Sequence, residues 1–260
     1  MDPVTKRGYE LVFEDRFTGP DLDRTRWLPY HLPHWSSREQ AAARYGVGDD
    51  GLRLRIEADQ PPWCPELDGD TRVSSLQTAV FSGPVGSPVG QHRFHPSAVV
   101  REGQVPQRLY TPTYGVVELR ARATDDPRSM VALWMIGMED EPERSAEICV
   151  CEIFGREVGP DRALVGMGVH PFGDPRIVDD FEKVEVLADV RDPHVYTMEW
   201  TPERVAFLVD GDRVKQVDQA PAYPMQLMLG IYEFGGRRPE DVYPKEYVVD
   251  YVRGYRPAGR

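Results

Sequence analysis

The sequence predicts an all-β protein, a sandwich of two antiparallel sheets in one domain. In residues 52–58 and 115–123, apolar side chains alternate with charged ones, as in strands that have one face in a core and one in water. The 24 prolines and 23 glycines suit many short strands joined by turns. A sandwich of 260 residues is normally a single domain, so we assign residues 1–260 to one domain.

Further apolar or alternating runs predict the remaining strands. They lie at residues 9–13, 73–81, 130–137, 146–154, 163–170, 195–200, 203–210, 225–234 and 247–255. The run 203–210 is followed by Gly211-Asp212 and then RVKQV, a pattern typical of a hairpin with a tight turn. Residues 180–190 are the best helix candidate and fit a strand nearly as well.

The formal net charge of -12 argues against nucleic acid and anionic membranes as partners, because both carry charge of the same sign. No run of 18 or more apolar residues predicts a membrane-spanning helix. The N-terminus has no apolar segment of the signal-peptide type, and the three cysteines form no disulfide framework. We therefore expect a cytoplasmic monomer with reduced thiols, or a secreted protein if a leader has been removed.

The segment 145–155, SAEICVCEIFG, carries the residues that point most directly to chemistry. In a regular strand, Glu147 and Cys149 face one side, whereas Glu152 falls on the apolar side, where an unpaired carboxylate is costly. A β-bulge near residues 150–151 removes this conflict and puts Glu152 on the open face with Glu147. Retaining glycosidases need two carboxyl groups about 5–5.5 Å apart, and such a pair fits this face. The alternative is that both are ordinary surface glutamates of a half-exposed strand.

The same segment resembles the E-x-D-x-x-E signature of glycoside hydrolase family 16, the laminarinase, lichenase and agarase group. The resemblance extends over nearly the whole chain, through LVFEDRFTGPDLDRTRW, DDGLRLRIEA, YGVVELRARAT, VALWMIG, YTMEWTPERVAFLVDGDRV and VVDYVRGYRP. It implies a concanavalin A-like jelly roll with the substrate cleft on the concave face. It also implies a retaining endo-β-glycanase that acts on a polysaccharide or oligosaccharide, with a β-1,3- or mixed-linkage glucan favoured and no cofactor required.

By the family motif, Glu147 falls on the nucleophile position and Glu152 on the acid/base position. Trp134 matches the family's sugar-stacking tryptophan, with a core aromatic as the alternative. His170 and Tyr232 correspond to a histidine and an aromatic residue that face the cleft, although each also suits a structural role.

Cys149 stands where the family has an aspartate that helps to set the charge state of the nucleophile. A thiol is a weak donor and a weak acceptor, so the tuning of Glu147 is expected to change. The substitution leaves a non-catalytic or weakly active carbohydrate-binding protein as one alternative to hydrolysis. A transglycosylase is the other alternative. A small apolar filler is the simplest interpretation of Cys149.

Two long loops, residues 28–44 and 82–113, are rich in aromatic residues and histidines and are expected to shape the ends of the cleft. Within them we predict as subsite residues Trp35, His34, His92 and Arg93. The pairs His31/His34 and His92/His95 lack the accompanying ligands of a zinc site. The resemblance also allows a structural calcium ion at Glu14 and Asp250, since carboxylate oxygens suit that ion.

Overall fold

A computed structural model describes residues 8–259 and confirms the all-β class. The described residues form sixteen strands: β1 Tyr9–Asp15, β2 Arg44–Gly48, β3 Gly51–Ile56, β4 Arg72–Gln77, β5 Ala79–Val80, β6 Gln107–Arg108, β7 Gly115–Arg122, β8 Ser129–Gly137, β9 Glu147–Phe154, β10 Ala163–His170, β11 Asp180–Val186, β12 His194–Trp200, β13 Val205–Val209, β14 Asp212–Val217, β15 Met225–Glu233 and β16 Lys245–Pro257. Helical structure in this part of the chain is limited to a four-residue α-helix, α1 Pro65–Asp68, and two 3₁₀ turns, Pro33–Trp35 and Gly155–Glu157.

The strands build a jelly-roll sandwich of two large antiparallel sheets. One sheet has eight strands in the order β14-β13-β12-β7-β16-β3-β2, with β1 paired to β16. The other has six strands in the order β11-β10-β9-β8-β15-β4. Consecutive strands pair in both sheets, but β16 pairs with β1, β3 and β7, and β15 pairs with β4 and β8, so each sheet also joins distant parts of the sequence.

Alternation along the strands explains the core between the sheets. In β3, the predicted inward residues Leu52, Leu54 and Ile56 are fully buried, and residues of the six-stranded sheet pack on them in one cluster. Burial of each such side chain contributes roughly 1.5–3 kcal/mol to folding. This core fixes which face of the six-stranded sheet is left for other contacts.

The hairpin predicted at 203–217 is confirmed, with β13 and β14 joined at Asp210 and Gly211, whose φ angles are 50° and 94°. The helix alternative for 180–190 is wrong, because residues 180–186 pair with β10 along its whole length as β11. The sequence did not predict β2, whose short RYGVG run gains its partner only from β3. Across residues 8–259, no helix has the length and hydropathy needed to span a bilayer.

The outer face of the six-stranded sheet, away from the core, is divided into two halves. Over β4, β15 and β8, loop residues pack on the sheet and form a second apolar cluster; we call this the covered half. Over β9, β10 and β11 lie both predicted catalytic glutamates and His170; we call this the open half. The site described below lies where the two halves meet.

Candidate active site

Strand β9 is bent by a β-bulge at Val150 and Cys151, as the sequence predicted. Cys149 pairs with Trp134 and Cys151 with Leu133, so two residue steps on β9 match one step on β8. Val150 and Cys151 both join the core between the sheets. Beyond the bulge, each side chain of β9 therefore points to the face opposite the one that a regular strand would give it.

As a result of the bulge, Glu147 and Glu152 both lie on the outer face and line the same cavity. Glu147 is almost fully buried, with 8% of its surface exposed, whereas Glu152 is half-buried. The conflict seen in the sequence is thus resolved without placing a carboxylate in the core.

The thiol of Cys149 donates a hydrogen bond to Oε1 of Glu147 at 2.7 Å. Burial, together with the neighbouring carboxylates, raises the pKa of Cys149 well above that of a free thiol. The side chain therefore stays a neutral donor at physiological pH. The position that carries an aspartate in the family motif here supplies a hydrogen bond without a second negative charge.

Both glutamates hold their protons more tightly than exposed carboxylic acids do. Burial raises the pKa of Glu147 to about 7, while the Cys149 hydrogen bond and nearby His170 act in the opposite direction. Burial also raises the pKa of Glu152, again opposed by His170. Carboxyl groups whose pKa values are raised by burial are common among the acids and bases of enzymes.

His170 lies on β10 directly opposite Glu147. Its Nδ1 is 2.5 Å from Oδ1 of Asp179, and its ring stacks on Phe181 at a centroid distance of 4.7 Å. A side chain on Gly166 would meet the Phe181 ring at 2.5 Å, so the glycine makes room for this support. The ring of His170 is therefore held in one orientation beside the glutamates.

His92 approaches Glu147 from the loop 82–113. Its Nδ1 lies 3.9 Å from Oε2 of Glu147, and its ring packs edge-on against Trp134. The backbone N–H of His92 donates to Oε1 of Glu139 at 2.5 Å, which fixes a residue whose φ is 51°. Burial lowers the pKa of His92 to about 4, so the ring is neutral at physiological pH.

The cavity has a volume of about 340 Å³, near the lower end of the range for small-molecule sites. Most of its wall surface is apolar, with carboxyl, imidazole and hydroxyl groups among the lining side chains. Both halves of the outer face contribute to it: His31, Leu32, Trp63, Asp68, Thr71, His92, Phe94, Met130, Ala132, Trp134, Glu147, Glu152, His170, Phe172, Tyr232 and Phe234.

Of the predicted substrate-binding residues, four line the cavity: Trp134, His170, Tyr232 and His92. Trp134 shows only 8% of its surface, and its Nε1 donates to the hydroxyl of Tyr232 at 3.0 Å. These two aromatic rings thus form part of the cavity wall and also part of the covered half.

The other three predicted subsite residues do not line this cavity. Trp35 and His34 are fully buried and bond through Nε1 and Nε2 to the carbonyl of Gln91, at 2.9 Å each. Arg93 bonds to carbonyls of its own loop and faces outward. These side chains instead hold the loops together: His34 and Trp35 link the loop 28–44 to the loop 82–113, and Arg93 bonds within the loop 82–113.

The structure adds cavity residues that the sequence analysis missed, above all Trp63 and Phe172. Trp63 lies among prolines, and its Nε1 donates to Asp68 at 2.6 Å, so the loop presents the ring edge to His31. Phe172 is half exposed beside His92 and His170. The sequence did contain a signal for both, because each is a large aromatic residue in a turn-rich segment, and binding residues are often carried on loops.

Glu14 and Asp250 do not fit the structural calcium ion that the resemblance allowed. Glu14 accepts a hydrogen bond from Nε of Arg253 at 2.8 Å, and Asp250 forms ion pairs with Arg120 and Arg122. Guanidinium groups already occupy the positions from which these carboxylates would bind a cation.

Comparison with known proteins gives one family match. The family model described as glycosyl hydrolases family 16 matches residues 103–253. Among curated proteins, glucan endo-1,3-beta-glucosidase A1 of Niallia circulans is 24% identical over 96% of this chain and 38% of its own length.

Two solved structures illustrate the structural likeness. The GlcNAcα1-4Gal-releasing endo-β-galactosidase from Clostridium perfringens superposes with a TM-score of 0.85 and 32% identity, over 99% of this chain and 65% of that one. The laminarinase from Rhodothermus marinus gives a TM-score of 0.66 and 22% identity, over 96% of this chain and 98% of that one. The chain thus spans about two fifths of the curated relative and just under two thirds of the endo-β-galactosidase chain.

Proposed function

Because the chain belongs to glycosyl hydrolases family 16, we propose that it is a retaining endo-β-glycosidase, with Glu147 as nucleophile and Glu152 as acid/base. The observation that carries the proposal is the bulge in β9, since it presents both carboxylates to one cavity. Without the bulge, Glu152 would face the core and the pair would not exist.

The proposed reaction has two steps. In the first, Glu147 attacks the anomeric carbon and forms a glycosyl ester, while Glu152 gives its proton to the leaving oxygen. In the second, the Glu152 carboxylate takes a proton from water, whose oxygen attacks the same carbon and frees Glu147. Each step inverts the anomeric centre, so the product keeps the configuration of the substrate.

Cys149 supports hydrolysis rather than binding alone. A carboxylate that accepts a hydrogen bond is stabilised in its charged form, which the nucleophile needs. The neutral thiol gives Glu147 this bond at 2.7 Å. An ionised residue at the same place would instead add repulsion.

For the substrate, we propose a β-galactoside within an oligosaccharide. Support comes from the endo-β-galactosidase, which is 32% identical to this chain and matches 99% of it and 65% of its own length. The glucan expected from the sequence is the second candidate, since glucan endo-1,3-beta-glucosidase A1 is also similar over most of the chain.

The covered half suggests that cleavage takes place a few sugar units from a chain end. Leu32 and Trp63 are almost fully buried on the sheet and line the cavity, so they close it on that side. A long polymer that crosses the whole sheet face would have to displace them. We therefore propose that the products released from the covered side are short and uniform in length.

The test is a glycan panel that includes β-galactoside-containing oligosaccharides, laminarin and lichenan, with product lengths measured by mass spectrometry. We expect one class to be cleaved, with the β-anomer appearing first by NMR and no product from Glu147→Gln. Products longer than the substrate would instead identify a transglycosylase. Equal binding by the parent and Glu147→Gln, with no turnover on any glycan, would identify a binding protein.

A further inference from the structure

Three different metal-binding side chains meet at the centre of the open half. One ligand atom each from Glu147, Cys149 and His170 lies within 4.8 Å of the other two. We propose that this triad binds a thiophilic divalent cation, zinc in the first place, and that the bound ion blocks the site for sugars. The part of the proposal that concerns blocking rests on the proposed glycosidase function, whereas the binding itself does not.

The backbone sets this arrangement before any metal is present. Glu147 and Cys149 are two residues apart on one face of β9, and His170 is the register partner of Glu147 on β10. Ligand atoms 2.0–2.3 Å from a tetrahedral zinc ion lie about 3.5 Å from one another. Closing the triad from within 4.8 Å requires side-chain adjustments of about 1 Å and no movement of the strands.

An independent feature favours His170 as a ligand. Its Nδ1 contacts Asp179 at 2.5 Å, which leaves Nε2 as the free ring nitrogen. Histidines that bind metals commonly donate their second ring N–H to a carboxylate, which fixes the tautomer and the orientation of the ring. Phe181 stacks on the same ring and restricts its rotation further.

The ligand set selects the type of ion. Sulfur and imidazole nitrogen favour zinc and similar metals, whereas magnesium and calcium prefer oxygen ligands. When zinc binds, a bond forms between the metal and Sγ of Cys149, the S–H bond breaks, and the proton passes to water. No electron is transferred, and no oxidant is needed. A tetrahedral ion held by these three ligands would have one position left for water.

Binding is tested with cobalt(II) as a spectroscopic probe on the full chain. We expect the parent to show a sulfur-to-cobalt charge-transfer band and the visible bands of tetrahedral cobalt. Cys149→Ser is expected to lose the charge-transfer band. Asp179→Asn is expected to bind cobalt roughly 10–100-fold more weakly.

Cys64→Ser is the matched control, because Cys64 is also buried and unpaired but lies in the covered half. It is expected to retain the full band. An absent band at millimolar cobalt, or a band of equal intensity in Cys149→Ser, overturns the proposal. Circular dichroism of each variant shows that it has folded, and a zinc-induced rise of Tm in the parent but not in Cys149→Ser provides a second measurement.

A final experiment separates this proposal from the proposed function. With a cleaved glycan in hand, zinc is expected to abolish turnover, and a chelator is expected to restore it. A cobalt band without turnover on any glycan overturns the glycosidase and leaves the metal site in place. Turnover without a cobalt band overturns the metal site alone.

Discussion

The two halves of the outer sheet face are built from the same type of strand, yet they differ in what lies on them. In the covered half, loop residues such as Leu32 and Trp63 form a closed apolar cluster with β4, β15 and β8. In the open half, β9 and β10 present carboxylates, a thiol and an imidazole ring. The contrast shows that one sheet face is divided by what covers it: the open half holds the groups that we propose to react, and the covered half limits the space beside them.

The largest expected effect concerns the open half. Glu147→Gln and Glu152→Gln are each expected to lower kcat by roughly 10³-fold or more, since acid–base catalysis alone contributes about 10²–10⁴-fold. In the covered half, the volume-conserving change Met228→Leu is expected to alter kcat by less than about threefold. Steady-state kinetics on the cleaved glycan measure both effects. A large loss of kcat in Met228→Leu would contradict the assignment of catalysis to the open half alone.

The second prediction concerns stability, because a buried carboxylate is costly when ionised. The pKa of Glu147 is raised to about 7 in the folded protein, above its value in the unfolded chain. The folded state is therefore favoured most at a pH below the unfolded-state pKa, where Glu147 is protonated in both states, and this advantage is lost as the pH rises through 7. Glu147→Gln is therefore expected to raise the free energy of unfolding at pH 8 by roughly 1–3 kcal/mol, and by little at pH 4. Urea unfolding at both pH values measures this, with the exposed Glu203→Gln as control. An equal gain at both pH values would contradict the assignment to ionisation.

The third prediction tests the covered half. Trp63→Leu shortens the side chain that closes the cavity and is expected to raise KM for a short substrate about tenfold, which corresponds to about 1.4 kcal/mol. The lengths of the released products are expected to become less uniform, with a small change in kcat. Trp27→Leu, in the core between the sheets, is the matched control. This control variant should have a lower Tm and unchanged product lengths. If Trp63→Leu also leaves the product lengths unchanged, the loops of the covered half do not limit product length.

The smallest expected effect concerns the thiol. If Glu147 is the nucleophile, kcat/KM should fall as pH drops below about 7, because the carboxyl then gains its proton. Cys149→Ala removes the hydrogen bond that stabilises the carboxylate, so this acidic limb should move upward by up to about one pH unit. Cys149→Ser, which keeps a donor, should move it less. A limb that stays in place in Cys149→Ala would show that the thiol does not tune Glu147.

Much of the site was predictable from the sequence because the positions of its two glutamates depend on a single strand. Alternation along residues 145–155 is a property of a single strand, and the cost of a buried Glu152 predicted the bulge before any partner strand was known. His170 and Trp134 were predicted by family resemblance, and both line the cavity.

The expectations for Trp35, His34 and the calcium site concerned side chains whose partners lie far away in the sequence. Trp35 and His34 were predicted to bind sugar, but both contact Gln91, more than fifty residues away in the sequence. Glu14 and Asp250 were proposed for calcium, but arginines from other strands reach them. In each case a distant segment supplied the partner, and no local pattern contains that information.

The sequence by itself determined most of the strands, the inward and outward faces of the alternating ones, and the bulge that brings two acids to one side. These follow from the period of two along a strand and from the free-energy cost of burying charge. Only the tertiary structure decided which loop residues close the cavity and that Cys149, Glu147 and His170 meet. Those contacts join segments far apart in the chain, and they depend on how loops pack on a sheet that exists only after its strands have assembled.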